Sequence, residues 1–296
     1  MPTYLKPDVI ARAQALGLKA RTIVEGLRVG EHKSPFRGFS VEFVQHREYV
    51  PGDDIRHIDW KSYARSERYT IKQYEQETNF IGHILIDASR SMLYGKGESN
   101  KLEFAKLLAA TLSYLIIHQR DTVSLSIFDS EWRERLPASS QAGHIHTITQ
   151  TLENTEPQEK TAIGPLLEDL AQQVRRRGFV FLISDLFDHP DSIMEGLRFL
   201  RFQGHEVMVF HVLHQDELDF PFDGMTKFDG LEINRHLLAR PQLIRPAYLK
   251  ALKRYMKEVR QGCETNQCDY VLVDTTRPLG QTLPEYLGRR LRMRTV

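Results

Sequence analysis

The pattern of apolar and polar positions changes near residue 80. Before that point, apolar residues have a helical spacing over residues 7–28, a polar and irregular stretch follows, and residues 69–74 alternate in the manner of a strand. After it, short apolar runs alternate with amphipathic stretches along the rest of the chain. We therefore expect two parts, an N-terminal segment of residues 1–80 and a domain of residues 81–296.

The second part is predicted to alternate strands with helices. The predicted strands are residues 81–87, 121–129, 178–185, 205–213 and 269–275, with a short edge strand at 130–137; the predicted helices are residues 101–119, 144–152, 163–176, 192–202 and 246–262. Short apolar strands separated by helices are typical of a parallel sheet that is covered on both faces. The sequence thus predicts an α/β fold with a mostly parallel open sheet, preceded by a helical and irregular or β segment.

Composition narrows the classes of function. Hydrophobic residues make up 41% of the chain, charged residues 27%, and the formal net charge is +1. This balance argues against nucleic acid or an anionic membrane as the main partner. No apolar run approaches the ~20 residues of a membrane span, and the first residues lack the apolar block of a signal peptide. We expect a cytoplasmic protein, in which Cys263 and Cys268 are reduced thiols near a helix end.

Oxygen-bearing side chains gather where predicted strands end. Asp87, Ser89 and Ser91 follow one buried strand, Asp185 closes another, and Thr161 precedes a predicted helix. Because ligands of open α/β sheets bind outside the carboxyl ends of the strands, we expect these side chains to share one edge. Two carboxylates and three hydroxyls are hard oxygen ligands, which suit Mg²⁺, Mn²⁺ or Ca²⁺ rather than zinc. We expect Mg²⁺ or Mn²⁺.

Each of these residues also has a plainer explanation. Asp and Ser after a strand commonly form turns and helix caps. Thr161 could be only the N-cap of the helix that follows it, and Asp185 could cap the next helix, although Asp188 and Asp191 are nearer to its start.

The five residues, taken in order, resemble the metal-ion-dependent adhesion site of von Willebrand factor A-type domains. In that family the metal ion bridges the domain to an acidic residue of its ligand. The resemblance implies that Asp87 and Asp185 anchor the ion, partly through water, and that Ser89, Ser91 and Thr161 coordinate it more directly.

A second block of the sequence resembles a bacterial family of unknown function that carries a von Willebrand factor A-like domain and is commonly encoded beside MoxR-type AAA+ ATPases. The matching residues are Arg47, Tyr49, Pro51, Gly52, Asp53, Asp54, Arg56, Ile58, Asp59, Trp60, Ala64 and Arg65. The resemblance covers essentially the whole chain. It implies an adaptor or co-chaperone whose partner is the MoxR-type ATPase, a client of that ATPase, or both.

This block is rich in opposite charges. The basic residues Arg47, Arg56 and Arg65 could form bidentate pairs with Asp53, Asp54 and Asp59, and Trp60 and Tyr63 add apolar bulk. Two interpretations remain open: the block packs the N-terminal segment onto the α/β domain, or it forms a partner-binding surface.

An enzyme is the competing class. An Asp at the end of a first strand is also the nucleophile position of haloacid-dehalogenase-type phosphatases, so a Mg-dependent phosphatase-like hydrolase using Asp87 is the alternative. That chemistry needs a second carboxylate as general acid where this chain has Ser89. The sequence contains neither a GxxxxGK[ST] loop nor a GxSxG elbow. A purely structural protein whose site has lost its metal is a further alternative. Such a protein would tolerate Ala or Val at the five positions, and the intact set of five argues against it. We expect a non-catalytic, metal-dependent protein-binding module.

Overall fold

The structure, a computed structural model, describes residues 41–50, 59–66, 68–76, 81–157, 160–231 and 236–279. The helix predicted over residues 7–28 lies outside these residues, as do Asp53, Asp54 and Arg56 of the charged block. The described residues fall into two compact units, one before and one after residue 80.

The smaller unit, in the part of it that the structure describes, is a two-stranded antiparallel sheet with one short helix. Its elements are β1 (Val41–Glu48), α1 (Trp60–Ser66) and β2 (Thr70–Gln76). β1 pairs with β2, and the register shifts between Phe43 and Gln45. The alternation seen in the sequence over residues 69–74 therefore does correspond to a strand.

The larger unit contains a six-stranded sheet and a separate hairpin. Its strands are β3 (Ile81–Asp87), β4 (Thr122–Phe128), β5 (Trp132–Ser139), β6 (Phe179–Ser184), β7 (Glu206–Leu213), β8 (Thr226–Asp229), β9 (His236–Ala239) and β10 (Asp269–Asp274). The order in the main sheet is β10-β7-β6-β3-β4-β5, and every neighbouring pair is parallel except β4 with β5. β8 and β9 pair with each other in an antiparallel hairpin.

Helices cover both faces of this sheet. The α-helices described in this unit are α2 (Lys101–His118), α3 (His144–Glu153), α4 (Ile163–Gln173), α5 (Pro190–Phe202), α6 (Gln215–Asp219) and α7 (Pro241–Thr265), and all but the short α6 contribute to the cores on the two faces. α2 and α3 pack on the face that carries Ile84 and Ile86, whereas α4, α5 and α7 pack on the face that carries Leu85. Both faces of β3 are therefore buried, as its apolar run requires. The predicted fold class is confirmed.

Two glycines bring α4 and α5 close together. A Cβ atom on Gly196 would lie 2.8 Å from the carbonyl oxygen of Gly164 and 2.8 Å from Cβ of Leu167. A side chain at residue 196 would push the two helices apart. This close packing holds the start of α4 beside the loop that leaves β6.

Some predicted boundaries were wrong. α7 begins at Pro241, not at Pro246: Pro241 stands at the helix start, where a missing N–H removes no intrahelical hydrogen bond, and Pro246 lies inside the helix. α4 ends at Gln173 rather than at residue 176, and α5 begins at Pro190 rather than at residue 192. The edge strand β5 is confirmed, although it is eight residues long.

None of the helices within the described ranges is both long enough and apolar enough to cross a bilayer.

Candidate metal centre

The central strand β3 ends in Asp87, whose side chain is fully buried. Its Oδ1 accepts a hydrogen bond from the Ser89 backbone N–H at 2.9 Å. Its Oδ2 accepts from the Thr161 hydroxyl at 3.1 Å and from the Ser184 hydroxyl at 2.5 Å. Asp87 is therefore the point at which the end of β3, the start of α4 and the end of β6 meet.

The loop after Asp87 turns its two serines toward each other. The Ser89 and Ser91 hydroxyl oxygens lie 3.0 Å apart, and both residues are buried. A short 3₁₀ turn begins here and is closed by the Met92 N–H, which donates to the Ser89 carbonyl. The loop is tied to β4 because the Ala88 N–H donates to the Phe128 carbonyl at 2.7 Å.

Thr161 is not the N-cap of α4. That position belongs to Ala162, while the first helical N–H, of Ile163, donates to the Asp188 carboxylate at 2.8 Å. The Thr161 hydroxyl turns to Asp87 instead. The sequence suggested Asp188 as a possible cap of α5, but its carboxylate caps α4 instead.

Asp185 follows β6 directly and is also fully buried. Its Oδ1 accepts from the Phe187 backbone N–H at 3.3 Å, and its Oδ2 accepts from the Lys101 ammonium at 2.8 Å. It is close enough to Asp87 for its charge to act there. Burial first, and then the charge of Asp185, raise the pKa of Asp87 to about 7, while hydrogen bonds from Ser184 and Ser89 act in the opposite direction.

The loop that leaves Asp185 is held in an unusual conformation. Leu186 is fully buried yet has φ +58°, in the left-handed region that disfavours residues with a Cβ. Its N–H donates to the Ser184 hydroxyl at 2.8 Å, and its carbonyl accepts from the Tyr255 hydroxyl of α7. The same hydroxyl lies 3.1 Å from the Asp188 carbonyl. Contacts from β6 and α7 thus fix the backbone around Asp185.

Three residues near these side chains were not predicted from the sequence: Ser184, Lys101 and Glu217. Lys101, the first residue of α2, is 1% exposed and donates to both Asp185 and Glu217. Burial lowers its pKa, but the two carboxylates together raise it above its usual range. Ser184 had a usable signal, because it is a hydroxyl at the last position of an otherwise apolar strand.

The donor set fits a hard divalent cation. Asp87 accepts hydrogen bonds from Ser89, Thr161 and Ser184, the Ser91 hydroxyl contacts that of Ser89, and the charge of Asp185 acts on Asp87. No group of three or more His, Cys, Asp or Glu side chains in the described part of the chain could hold a metal ion, so any site here would depend on hydroxyls beside its carboxylates. Such a set matches the oxygen preference of Mg²⁺ or Mn²⁺ and lacks the thiolate or imidazole ligands of zinc. The residues that would hold the ion are Asp87, Ser89, Ser91, Thr161 and Asp185.

The residues of the charged block are placed differently. Asp59 is buried and caps α1, since its carboxylate accepts from the Ser62 N–H at 3.2 Å. Tyr49 packs against Tyr69, with ring centroids 6.4 Å apart. Trp60 is 60% exposed.

Two of the three arginines of the block lie within the described elements. Arg65 lies in the last turn of α1 and is exposed. Arg47 lies on β1, opposite Ile71. The predicted partners Asp53, Asp54 and Arg56 fall outside the described residues, so the arginine–carboxylate network stays a prediction.

Residues 45–258 match the family described as protein of unknown function DUF58. The chain belongs to this family. This DUF58 protein is 28% identical over 219 residues to the uncharacterized protein Rv1480 of Mycobacterium tuberculosis and to the uncharacterized protein Mb1516 of Mycobacterium bovis. In both comparisons the match covers 73% of this chain and 68% of the relative. The predicted family resemblance is confirmed.

Two solved structures are similar to the DUF58 protein. The conserved hypothetical protein BatB from Bacteroides thetaiotaomicron is 18% identical, with a TM-score of 0.46, and the match covers 72% of this chain and 99% of that one. The SpRpn10 VWA domain is 12% identical, with a TM-score of 0.40, and the match covers 70% of this chain and 94% of that one. The similarity extends to the fold alone.

Proposed function

We propose that this DUF58 protein is a non-catalytic, metal-dependent protein-binding module that acts as an adaptor or co-chaperone of a MoxR-type AAA+ ATPase, of a client of that ATPase, or of both. The observation that carries the proposal is the convergence of Ser89, Thr161 and Ser184 on the buried carboxylate of Asp87. Three separate segments supply those contacts. Mg²⁺ or Mn²⁺ held there would offer a coordination position to a carboxylate of the partner.

The loops around the centre support a protein as the partner. Leu93, just after the serines, is 44% exposed, and Phe187, just after Asp185, is 45% exposed. Exposed apolar side chains next to a polar centre are typical of protein-binding surfaces. The partner's identity as a MoxR-type ATPase or its client rests on the family resemblance.

The proposal is tested by exchanging Asp87 for asparagine. Asp87→Asn removes the negative charge but keeps the shape of the side chain, so we expect the fold to persist. We expect the affinity of Mg²⁺-dependent binding to the co-encoded ATPase, measured by calorimetry with and without EDTA, to fall about 100-fold or more. Loss of a residue that only supports a metal ligand already costs about 10–100-fold in metal affinity, and Asp87 would itself be a ligand.

Asp129→Asn is the matched control. Asp129 is a buried aspartate just after the neighbouring strand β4, and its carboxylate accepts from Arg133 Nε at 2.7 Å. We expect Asp129→Asn to keep metal-dependent binding. Unchanged binding after both Asp87→Asn and EDTA would refute the proposal. Phosphatase turnover that requires Asp87 would favour the hydrolase alternative instead.

A further inference from the structure

Lys101 places a buried positive charge beside the candidate metal centre. Its ammonium donates to Oδ2 of Asp185 at 2.8 Å and to Oε1 of Glu217 at 2.9 Å, and it lies 5.2 Å from the centre of the Phe187 ring. The side chain is 1% exposed. Because the lysine is buried, water and salt screen its charge much less than they screen a surface charge.

The ammonium is held from its far side as well. The other oxygen of Glu217, Oε2, accepts from the His214 backbone N–H at 2.8 Å and closes the capping box of α6. The neighbouring residue Asp216 accepts from the Tyr94 hydroxyl at 3.2 Å. Since α6 fixes Glu217, and Glu217 fixes the ammonium, Lys101 stays directed at Asp185.

We infer that Lys101 is an internal cation that lowers the affinity of the centre for a divalent metal ion. The ammonium and the ion would compete for the carboxylate of Asp185, and their charges repel each other in a buried site of low dielectric. An ion held weakly by the centre alone gains occupancy when a partner adds a carboxylate, because binding of the two is thermodynamically linked. This inference rests on the proposed function and adds a means of making metal and partner bind together.

A purely structural role for Lys101 predicts the opposite result. If the lysine only positioned Asp185, its removal would loosen the carboxylate and weaken metal binding. If it competes with the ion, its removal strengthens metal binding. The direction of the change in metal affinity therefore separates the two roles.

The experiment titrates the full chain with Mn²⁺, following free Mn²⁺ by electron paramagnetic resonance, and repeats the titration with Mg²⁺ by calorimetry. We expect Lys101→Met to bind either ion about tenfold more tightly or better, from the loss of charge repulsion. We expect Glu217→Gln to bind either ion about threefold more weakly or worse. Without the Glu217 carboxylate, the ammonium pairs with Asp185 alone and competes with the ion more strongly for it.

Lys106→Met is the matched control for loss of a buried lysine. Lys106 lies on the same helix, is 4% exposed, and donates to Glu103 and to the Thr155 carbonyl, each at 3.0 Å. We expect its metal affinity to equal that of the wild type. If Lys101→Met does not fold, the double variant Lys101→Met/Glu217→Gln removes both charges of the pair, and we expect it to bind the ion more tightly than the wild type.

The outcomes distinguish this inference from the proposed function. Equal or weaker binding by Lys101→Met, when the wild type binds the ion and Asp87→Asn does not, overturns the inference and leaves the proposed function standing. Absence of binding in both the wild type and Lys101→Met, or equal binding by the wild type and Asp87→Asn, overturns both.

Discussion

His83 lies in β3, four residues before Asp87, and is buried in surroundings that disfavour the charged form of its imidazole. Its Nδ1 is 2.8 Å from the Ser124 hydroxyl, and its ring lies edge-on to His205 with centroids 6.1 Å apart. Burial first, then the nearby positive charges of His205 and Arg135, lower the pKa of His83 to about 4. This side chain is therefore neutral in the folded protein at neutral pH.

The consequence is acid sensitivity. The folded pKa lies below the unfolded value of about 6.5, so the unfolded chain binds the proton more readily, and the free energy of unfolding falls as the pH drops from about 6.5 toward 4. We expect His83→Gln to lose about 2 kcal/mol less stability than the wild type between pH 7.5 and pH 5, measured by urea unfolding at each pH.

His118→Gln is the control, because His118 is exposed near the end of α2 and stacks on Tyr114. We expect the loss of stability between pH 7.5 and pH 5 to change less in this variant than in His83→Gln, because the replaced side chain is exposed. A His83→Gln curve that runs parallel to the wild type would contradict the assignment of this acid sensitivity to His83.

At the level of single residues, the sequence predicted some of the candidate centre and missed the rest. Asp87, Ser89 and Ser91 stand two residues apart after a strand, and that spacing is legible without a structure. Lys101 and Glu217 are 116 residues apart in the chain, and nothing local marks them as a pair. Only the packing of α2 against the ends of β6 and α6 brings them together.

At the level of elements, the loop between β6 and α5 depends on α7. The Tyr255 hydroxyl binds the carbonyls of Leu186 and Asp188, and Leu186 is strained. A buried residue of this kind in the left-handed region costs about 1–3 kcal/mol and persists because its surroundings hold it. The helix therefore stabilises the conformation that presents Asp185.

Tyr255→Phe removes those hydrogen bonds but keeps the ring. We expect the free energy of unfolding to fall by about 1–2 kcal/mol, since the carbonyl of the buried Leu186 loses its donor. Amide hydrogen exchange at Leu186 and Phe187 should become faster, while exchange within β6 should not. Unchanged exchange in the loop would show that Tyr255 does not hold it.

The sequence predicted element types better than element ends. Continuous apolar runs identify β3 and β6 because buried parallel strands have no polar face. Helix starts are harder to predict, as α7 shows with its two prolines, because tertiary contacts decide which turn begins the helix.

At the level of the whole molecule, two thiols report on the core. Cys263 and Cys268 are the only cysteines of the chain, both are free and buried, and both belong to the core beneath α5 and α7. Burial is the main cause that raises the pKa of each thiol to about 12. Both cysteines are free, as expected for two reduced thiols near a helix end.

We expect a thiol reagent to label both cysteines in one kinetic phase, because opening of the larger unit exposes them together. Mg²⁺ at 100 times its dissociation constant should slow labelling about 100-fold in the wild type and leave Asp87→Asn unaffected. A fast phase that releases one thiol would show that the end of α7 opens independently.

The distance along the chain between the parts of the centre has a consequence for biosynthesis. Asp87 and its partner Ser184 are 97 residues apart. A ribosome adding about 5–20 residues per second needs roughly 5–20 s to cover that interval. During that time Asp87, Ser89 and Ser91 have been made but Asp185 has not, so the complete candidate ligand set would be open to an ion only after residue 185 has been added.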